Sequence, residues 1–174
     1  MFKKGQIWIE TVIYALIGLA IISILLSLIK PTIEEKKDMI ILKASKEMMG
    51  VIENTIEDVE YYGVGNSRLV EIKIEKGKLL MDGKNDKIVF LMESNAMYSE
   101  PGQEIREVGS RIKIFTKKKT RKYEVNLTLD YSDLNITWNG KDIKQILQPS
   151  PTSYKIKITN YGKEGSQKTR IDLS

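Results

Sequence analysis

The chain has no cysteine and no histidine among its 174 residues. Disulfide bonds, thiol nucleophiles, zinc sites built on cysteine or histidine, and imidazole acid–base chemistry are therefore excluded. Aromatic residues are also scarce, at 7% of the chain. The whole chain, aromatic residues included, is 41% hydrophobic and 29% charged with a formal net charge of +5, which is enough apolar material for a folded core. We expect no catalytic constellation, no metal site and no cofactor.

The apolar residues are concentrated near the N-terminus. From Thr11 to Ile29 the chain runs for 19 residues without a charge. At the rise of an α-helix this run is roughly 28 Å long, about one hydrocarbon thickness of a bilayer. A secretory signal peptide has a shorter apolar region and ends in a small-residue cleavage site, whereas here Lys30 and Pro31 follow directly. The run therefore predicts a transmembrane helix that stays in the protein.

Charged residues flank this apolar run on both sides. Lys3 and Lys4 precede it and favour a cytoplasmic N-terminus with the rest of the chain outside the cell, whereas Lys36 and Lys37 follow it and favour the opposite orientation. Glu10 stands at its start, and a carboxylate deep in a bilayer costs about 2.5–3.5 kcal/mol. Two interpretations of Glu10 stay open: its carboxylate reaches water at the interface, or it has a partner in apolar surroundings.

The run Lys3-Lys4-Gly5-Gln6-Ile7-Trp8-Ile9-Glu10 resembles the class III (prepilin-type) signal peptide of archaeal type IV pilin-like proteins. In that family prepilin peptidase, a membrane aspartic peptidase, cuts between the glycine and the glutamine, and the fifth mature residue is glutamate. Gly5, Gln6 and Glu10 have this spacing. The family often has serine at the third mature position, where this chain has Trp8. The resemblance implies a cleaved leader over residues 1–5.

The resemblance also implies a mode of assembly. Glu10 would meet the N-terminal amine of a neighbouring subunit, which gives the carboxylate a partner in an apolar filament core. The implied partners are copies of this chain or other pilins, bound through the N-terminal helix, together with prepilin peptidase, the membrane, and a pilus assembly ATPase with its platform protein. The subunit would lie in the cell membrane before assembly, with its N-terminus cytoplasmic and its head outside, and then in an extracellular surface filament.

Beyond Pro31 the apolar residues recur at helical spacing and predict an amphipathic stem over residues 31–63. The helix is predicted to end near Tyr61-Tyr62-Gly63, because glycine is a common stop signal. Charged residues such as Lys43 and Glu53 are predicted on the other faces, and the methionines in the core. The predicted apolar face comprises Ile33, Ile40, Ile41, Ala44, Met48, Val51, Ile52, Ile56 and Val59.

From Arg68 onward the apolar period changes to two, which is typical of β-strands. About eight short strands separated by turn signals such as Asn139-Gly140 predict an antiparallel β-sandwich-like head over residues 64–174. The predicted fold class is α+β, with a hydrophobic helix over residues 6–30, its amphipathic continuation, and this head. The strands are predicted around Val70–Ile74, Lys78–Met81, Lys87–Met92, Arg111–Phe115, Tyr123–Tyr131, Leu134–Trp138, Tyr154–Ile158 and Thr169–Leu173.

Two Asn-x-Thr sequons lie in predicted strands: Asn126-Leu127-Thr128 and Asn135-Ile136-Thr137. Because the apolar residues take the alternate positions, each asparagine and threonine is predicted to point to the polar side of its strand. That placement is compatible with N-glycosylation of an exported head at Asn126 and Asn135. Chance is the competing explanation, since both residue types are common on solvated strands.

The run Lys117-Lys118-Lys119-Thr120-Arg121-Lys122 lies between two predicted strands. It is interpreted first as a solvated hairpin tip, and alternatively as a patch for anionic lipids, glycans or DNA. No aromatic residues are interleaved, so no specific nucleic acid is expected as a partner. The loop Asp82–Asp86 holds clustered oxygen donors but lacks the order of an EF-hand, and we favour a turn over a calcium site.

The sequence therefore predicts a structural, pilin-like subunit of an archaeal type IV pilus-like surface filament. An archaellin-like subunit shares the leader and stays open as an alternative. A second alternative is an uncleaved single-span surface protein, whose β head would serve adhesion to a partner. A membrane-tethered enzyme is the least favoured, because it would have to depend on serine–lysine pairs or paired carboxylates.

Overall fold

A computed structural model describes residues 3–163 and 168–174, with side chains from Trp8 onward. The chain forms two compact units, Met1–Lys37 and Asp38–Ser174. Its helix α1 spans Lys3–Tyr61 with Pro31 inside it. The strands are β1 (Ser67–Ile72), β2 (Lys78–Asp82), β3 (Lys87–Ser94), β4 (Glu104–Arg106), β5 (Ile112–Lys118), β6 (Tyr123–Asp130), β7 (Leu134–Trp138), β8 (Lys144–Leu147), β9 (Tyr154–Gly162) and β10 (Thr169–Leu173).

The first unit contains the apolar part of α1. Its described side chains, residues 8–37, are exposed, and Gly18 alone among these residues is half-buried. The helix is apolar enough, over a sufficient length, to cross a membrane. A helix that is hydrophobic all round has no single face for a protein core, and its side chains are suited to lipid or to other apolar helices.

In the second unit, α1 packs one stripe of side chains into the core. Its buried residues recur every three or four positions, which places them on one face of the helix. They are Asp38, Leu42, Ser45, Met49, Ile52, Glu53, Ile56 and Val59. The predicted apolar face was therefore only partly right: Ile40 is 66% and Val51 49% exposed, whereas Glu53, predicted on a solvated face, is buried. The helix offers two adjacent apolar faces, and the position of the sheets selects one.

Two β-sheets follow the helix, as the predicted α+β fold requires, and this fold class is confirmed. In the described residues, one sheet has four strands in the order β1-β9-β10-β7 and the other has six in the order β4-β5-β6-β3-β2-β8. Neighbouring strands are antiparallel, except that β10 and β7 run parallel. The short edge strands β4 and β8 were not predicted, because three or four residues are too few to set a period.

One hydrophobic core joins the helix stripe to both sheets. Leu42 and Ile56 of α1, Ile158 of β9 and Leu127 of β6 are all fully buried in it. The alternation predicted for β6 is confirmed, because Val125, Leu127 and Leu129 are buried while the residues between them are half-buried. Sheet strands with one buried face alternate in this way since successive side chains point to opposite sides.

The helix ends where the sequence predicted. Its last residue is Tyr61, and Gly63 follows with a φ of 84°, in the left-handed region that glycine adopts most readily. The backbone N–H of Gly63 donates to the carbonyl of Glu60 at 3.2 Å. The predicted Asn139-Gly140 turn also forms, with positive φ at both residues.

Candidate functional site

The predicted leader-cleavage residues lie at the start of α1. The helix begins at Lys3, so the backbone of Lys3, Lys4, Gly5 and Gln6 is helical. The side chains of these residues lie outside the described part of the chain.

Glu10 lies among exposed apolar side chains near the start of the same helix. Its own side chain is exposed, and its neighbours Trp8 and Ile9 are 75% and 60% exposed. Among the side chains that the structure describes, none lies within hydrogen-bond or ion-pair distance of the Glu10 carboxylate. A carboxylate in this position needs water or a cation from outside the described chain if the surrounding helix is buried in lipid or protein.

The two serines of the apolar run are satisfied within the helix. The Ser23 hydroxyl donates to the carbonyl of Leu19 at 2.8 Å, and the Ser27 hydroxyl donates to the carbonyl of Ser23 at 2.9 Å. Such bonds to the carbonyl four residues earlier remove the need for a water partner. Between Thr11 and Ile29 the helix therefore presents apolar surface with its serine hydroxyls already bonded, as a bilayer or an apolar filament core requires.

The first sequon lies in the interior of the six-stranded sheet. Asn126 is half-buried on β6, in register with Leu91 of β3 and Phe115 of β5. Its Oδ1 atom is buried and has no hydrogen-bond partner among the described residues. A buried amide oxygen without a hydrogen-bond partner lowers the stability of the fold, and a donor from a ligand or a modification at this side chain could satisfy it.

The second sequon lies on an edge strand. Asn135 is half-buried on β7, which pairs with β10 on one side and is the last strand of its sheet. Thr137 was predicted to face the polar side, and this prediction was wrong: Thr137 is buried, and its hydroxyl donates to Oδ1 of Asp172 at 2.6 Å. Both faces of the strand are covered at this point, since Ile136 and Thr137 are both buried, and the Asp172 carboxylate provides the acceptor that the buried hydroxyl needs. The edge position leaves Asn135 with fewer neighbouring strands than Asn126.

The basic run forms the tip of the β5–β6 hairpin. Lys117–Lys122 are all exposed, and the backbone N–H of Lys119 donates to the carbonyl of Lys122 at 2.8 Å, which closes the turn. The Lys119 ammonium contacts two carboxylates, Glu93 at 2.8 Å and Glu124 at 2.7 Å. These contacts raise the pKa of Lys119 and lower that of Glu93.

The carboxylates of the Asp82–Asp86 loop, and those of Asp130 and Asp133, contact protein cations. Asp82 lies 3.0 Å from the Lys144 ammonium and accepts a hydrogen bond from Asn85 at 2.7 Å. The Asp130 carboxylate is held by Lys87 and Lys113, and Asp133 by Arg111. No cluster of three acidic groups suited to a metal ion occurs within residues 8–163 and 168–174.

Two buried carboxylates that the sequence did not single out connect α1 to the head. Asp38 accepts bonds from the Asn95 backbone N–H at 2.7 Å and from the Asn95 side chain at 2.9 Å, and also contacts Lys76. Burial alone would raise the pKa of Asp38, but the N–H donors and Lys76 outweigh burial and the pKa is lowered.

Glu53 makes a second connection of this kind. Its carboxylate accepts bonds from the Ser110 hydroxyl at 2.6 Å and from the backbone N–H of Arg111. Each partner lies more than fifty residues away in sequence, so local sequence spacing carries no signal for either contact.

Comparison with known proteins adds no family. No protein-family model, no curated protein sequence and no solved structure matches this chain.

Proposed function

We propose that this chain is a structural subunit of an archaeal type IV pilus-like surface filament. Prepilin peptidase would cut it between Gly5 and Gln6, and the apolar part of α1 would then pack with copies of itself or with other pilins. The observation that carries the proposal is Glu10, which stands five residues after Gly5 at the start of an exposed apolar helix, with no partner among the described side chains.

The exposed apolar surface supports assembly through this helix. The described side chains from Trp8 to Ile29 are apolar with few exceptions, and they are not part of the hydrophobic core. Surface of this kind is stable in a bilayer before assembly and against neighbouring apolar helices after it. In the assembled filament the amine created on Gln6 of one subunit would neutralise Glu10 of another.

The second unit supports an outward-facing role. The unit Asp38–Ser174 has its own hydrophobic core, built from the helix stripe and both sheets. A head with an independent core does not need the apolar run for its packing. It would stand on the outer surface, where adhesion to a partner and glycosylation at Asn126 or Asn135 become possible functions.

The N-terminal residue of the natively expressed protein tests the proposal. We expect Gln6 as the first residue in a surface fraction released by shearing, measured by mass spectrometry of intact protein and N-terminal peptides. Gly5→Val should leave the leader in place and keep the protein in the membrane fraction. A terminus at Met1 or Phe2, confined to membranes, would instead establish an uncleaved single-span protein.

Glu10 provides a second, separate test. Glu10→Ala should permit membrane insertion and leader cleavage but strongly reduce the yield of sheared filaments, because the charge pair is lost. The matched control is Glu35→Ala, which removes an exposed carboxylate of the same helix outside the apolar run. Normal filament yield from Glu10→Ala would remove the charge-pairing role, and an equal loss in both variants would show that the effect is not specific to Glu10.

A further inference from the structure

The β5–β6 hairpin tip lies at one defined end of the second unit. We call residues Lys117–Lys122 the basic tip. Strand β6 begins at Tyr123, which is in register with Ser94 at the end of β3. The next residue, Asn95, donates its backbone N–H to the carboxylate of Asp38 at 2.7 Å. The basic tip therefore lies at the end of the six-stranded sheet that contacts Asp38, the first residue of the unit.

Most cations of the basic tip have no carboxylate partner among the described residues. Lys119 contacts Glu93 and Glu124, and the nearby Lys76 forms an ion pair with Asp38. The other four side chains are exposed, and within the described parts of the chain none has a carboxylate within 4 Å. They are Lys117, Lys118, Arg121 and Lys122. The nearby carboxylates that bind cations are thus already occupied, and four positive charges face solvent.

The opposite end of the same sheet has a different charge arrangement. Three cations there are matched by carboxylates at short distances, so these three contribute little field at long range. The pairs are Lys144 with Asp82 at 3.0 Å, Lys168 with Asp86 at 2.9 Å, and Arg111 with Asp133 at 2.7 Å. The turn at that end also carries Lys84, which is exposed and has no ion pair among the described residues. What distinguishes the basic tip is therefore the clustering of four such cations within six residues.

The Asp38 end of the head is where the chain enters it from the apolar run. Residues 30–37 connect Ile29, the last residue of that run, to Asp38. A connection of this length reaches at most about 30 Å when fully extended, and about 13 Å as a helix. In a protein anchored by residues 11–29, the chain thus enters the head at the Asp38 end within this length of the anchor. Cations there are attracted to acidic lipids over a Debye length of about 10 Å.

We propose that the basic tip is a membrane-contact site that binds the headgroups of anionic phospholipids. The exposed cations are opposite in charge to such a surface, and residues 30–37 connect their end of the head to the apolar run. The site rests on the membrane anchor of the proposed function, but it requires neither leader cleavage nor filament assembly. DNA is a poorer match, because no aromatic residue stands within the tip to stack on bases.

The full chain in lipid vesicles tests this proposal. Because the protein has no cysteine, Thr120→Cys creates a single site for a fluorescent donor in the exposed tip. Energy transfer to a headgroup-labelled lipid then reports how close the tip lies to the bilayer. We expect higher transfer in vesicles that contain phosphatidylglycerol than in phosphatidylcholine alone, and loss of that difference at high salt.

Charge variants in the same background complete the experiment. Replacing Lys117, Lys118, Arg121 and Lys122 together by Gln should reduce transfer in phosphatidylglycerol vesicles to the phosphatidylcholine value. The matched control replaces four exposed lysines elsewhere on the head, Lys141, Lys155, Lys157 and Lys163, and should keep the difference. Equal transfer in both kinds of vesicle, or an equal loss in the control, would overturn the proposal. Binding of duplex DNA without any lipid effect would assign the tip to another polyanion and would overturn it as well.

Discussion

Two stretches of the same helix differ in the exposure of their apolar side chains. Between Thr11 and Ile29 the apolar residues surround the helix, and in the structure they are exposed apart from half-buried Gly18. Between Asp38 and Val59, one stripe of apolar side chains packs against both sheets. Leu42, Met49 and Ile56 of this stripe are fully buried. The local conformation is identical, since both stretches are α-helix. The arrangement of apolar side chains around the axis is what differs.

This difference separates two sources of stability. The 38–59 stretch is stabilised by burial within its own chain, at roughly 25 cal/mol per Å² of apolar surface. The exposed side chains of the 11–29 stretch gain nothing comparable from the described part of the chain, so we expect lipid or other subunits to provide a stable environment for them. Substitutions in the two stretches should therefore be visible in different experiments: unfolding of the head for one, and membrane insertion or assembly for the other.

The largest expected effect comes from removing a core side chain of the buried stripe. Ile52 is 1% exposed, and Ile52→Ala should lower the free energy of unfolding of the head by about 2–5 kcal/mol, because it leaves a cavity among well-packed neighbours. The measurement is urea unfolding of the full chain in detergent micelles. A Trp8→Phe background leaves Trp138 of β7 as the single tryptophan whose fluorescence is followed.

The matched control lies in the other stretch. Leu25 is 51% exposed, and Leu25→Ala should change the unfolding free energy of the head by less than about 0.5 kcal/mol. If Leu25→Ala destabilised the head as much as Ile52→Ala does, the contrast between the two stretches would be wrong.

A smaller effect is expected from the buried carboxylate of Glu53. Glu53→Ala removes the acceptor for the Ser110 hydroxyl and for the Arg111 backbone N–H, and should cost about 1–3 kcal/mol in the same unfolding experiment. Glu57→Ala, one turn further along and exposed, is the comparison and should stay within about 0.5 kcal/mol. Equal costs for the two would mean that Glu53 acts through helix propensity or general charge, and not through its contacts with the loop.

The smallest effect is expected for the stability that the Asp38 carboxylate contributes to the head, which should depend on pH. Its pKa is lowered in the folded head from the ordinary value of 3.8, so folding favours the charged form. The resulting stability is present above about pH 4 and is lost as the pH falls through the lowered native pKa. Asp38→Asn should cost about 1 kcal/mol at neutral pH and nothing once Asp38 is protonated in both states. Urea unfolding at a series of acidic pH values measures this, and a wild-type-minus-variant difference that does not change with pH would contradict it.

Much of the secondary structure could be predicted because it depends on local signals. The helix end at Tyr61 follows from the glycine after it, and the main strands follow from a two-residue period such as that of Val125, Leu127 and Leu129. Strands β4 and β8 could not be predicted in this way. They are edge strands, and it is their pairing with β5 and β2 that defines them as strands.

The candidate sites could be predicted from local signals only in part. The cleavage site at Gly5–Gln6 and the assembly role of Glu10 were predicted from the resemblance to a prepilin-type signal peptide, and they stay predictions. The basic run was recognised from neighbouring residues. Residue spacing failed for Thr137, which was predicted on the polar side of its strand but is buried and bonded to Asp172. It also gave no indication of the Asp38 and Glu53 contacts, whose partners are distant in sequence.

The sequence by itself determined the α+β class, the length and all-round hydrophobicity of residues 11–29, and the alternation of the main strands, because these follow from the order of residue types along one element. Only the tertiary structure decided which face of the 38–59 helix is buried, which carboxylates are inside, and that the basic tip shares an end with Asp38. The physical reason is that burial and charge pairing are properties of surfaces in contact. Those surfaces are assembled from residues far apart in the chain, and no local period records them.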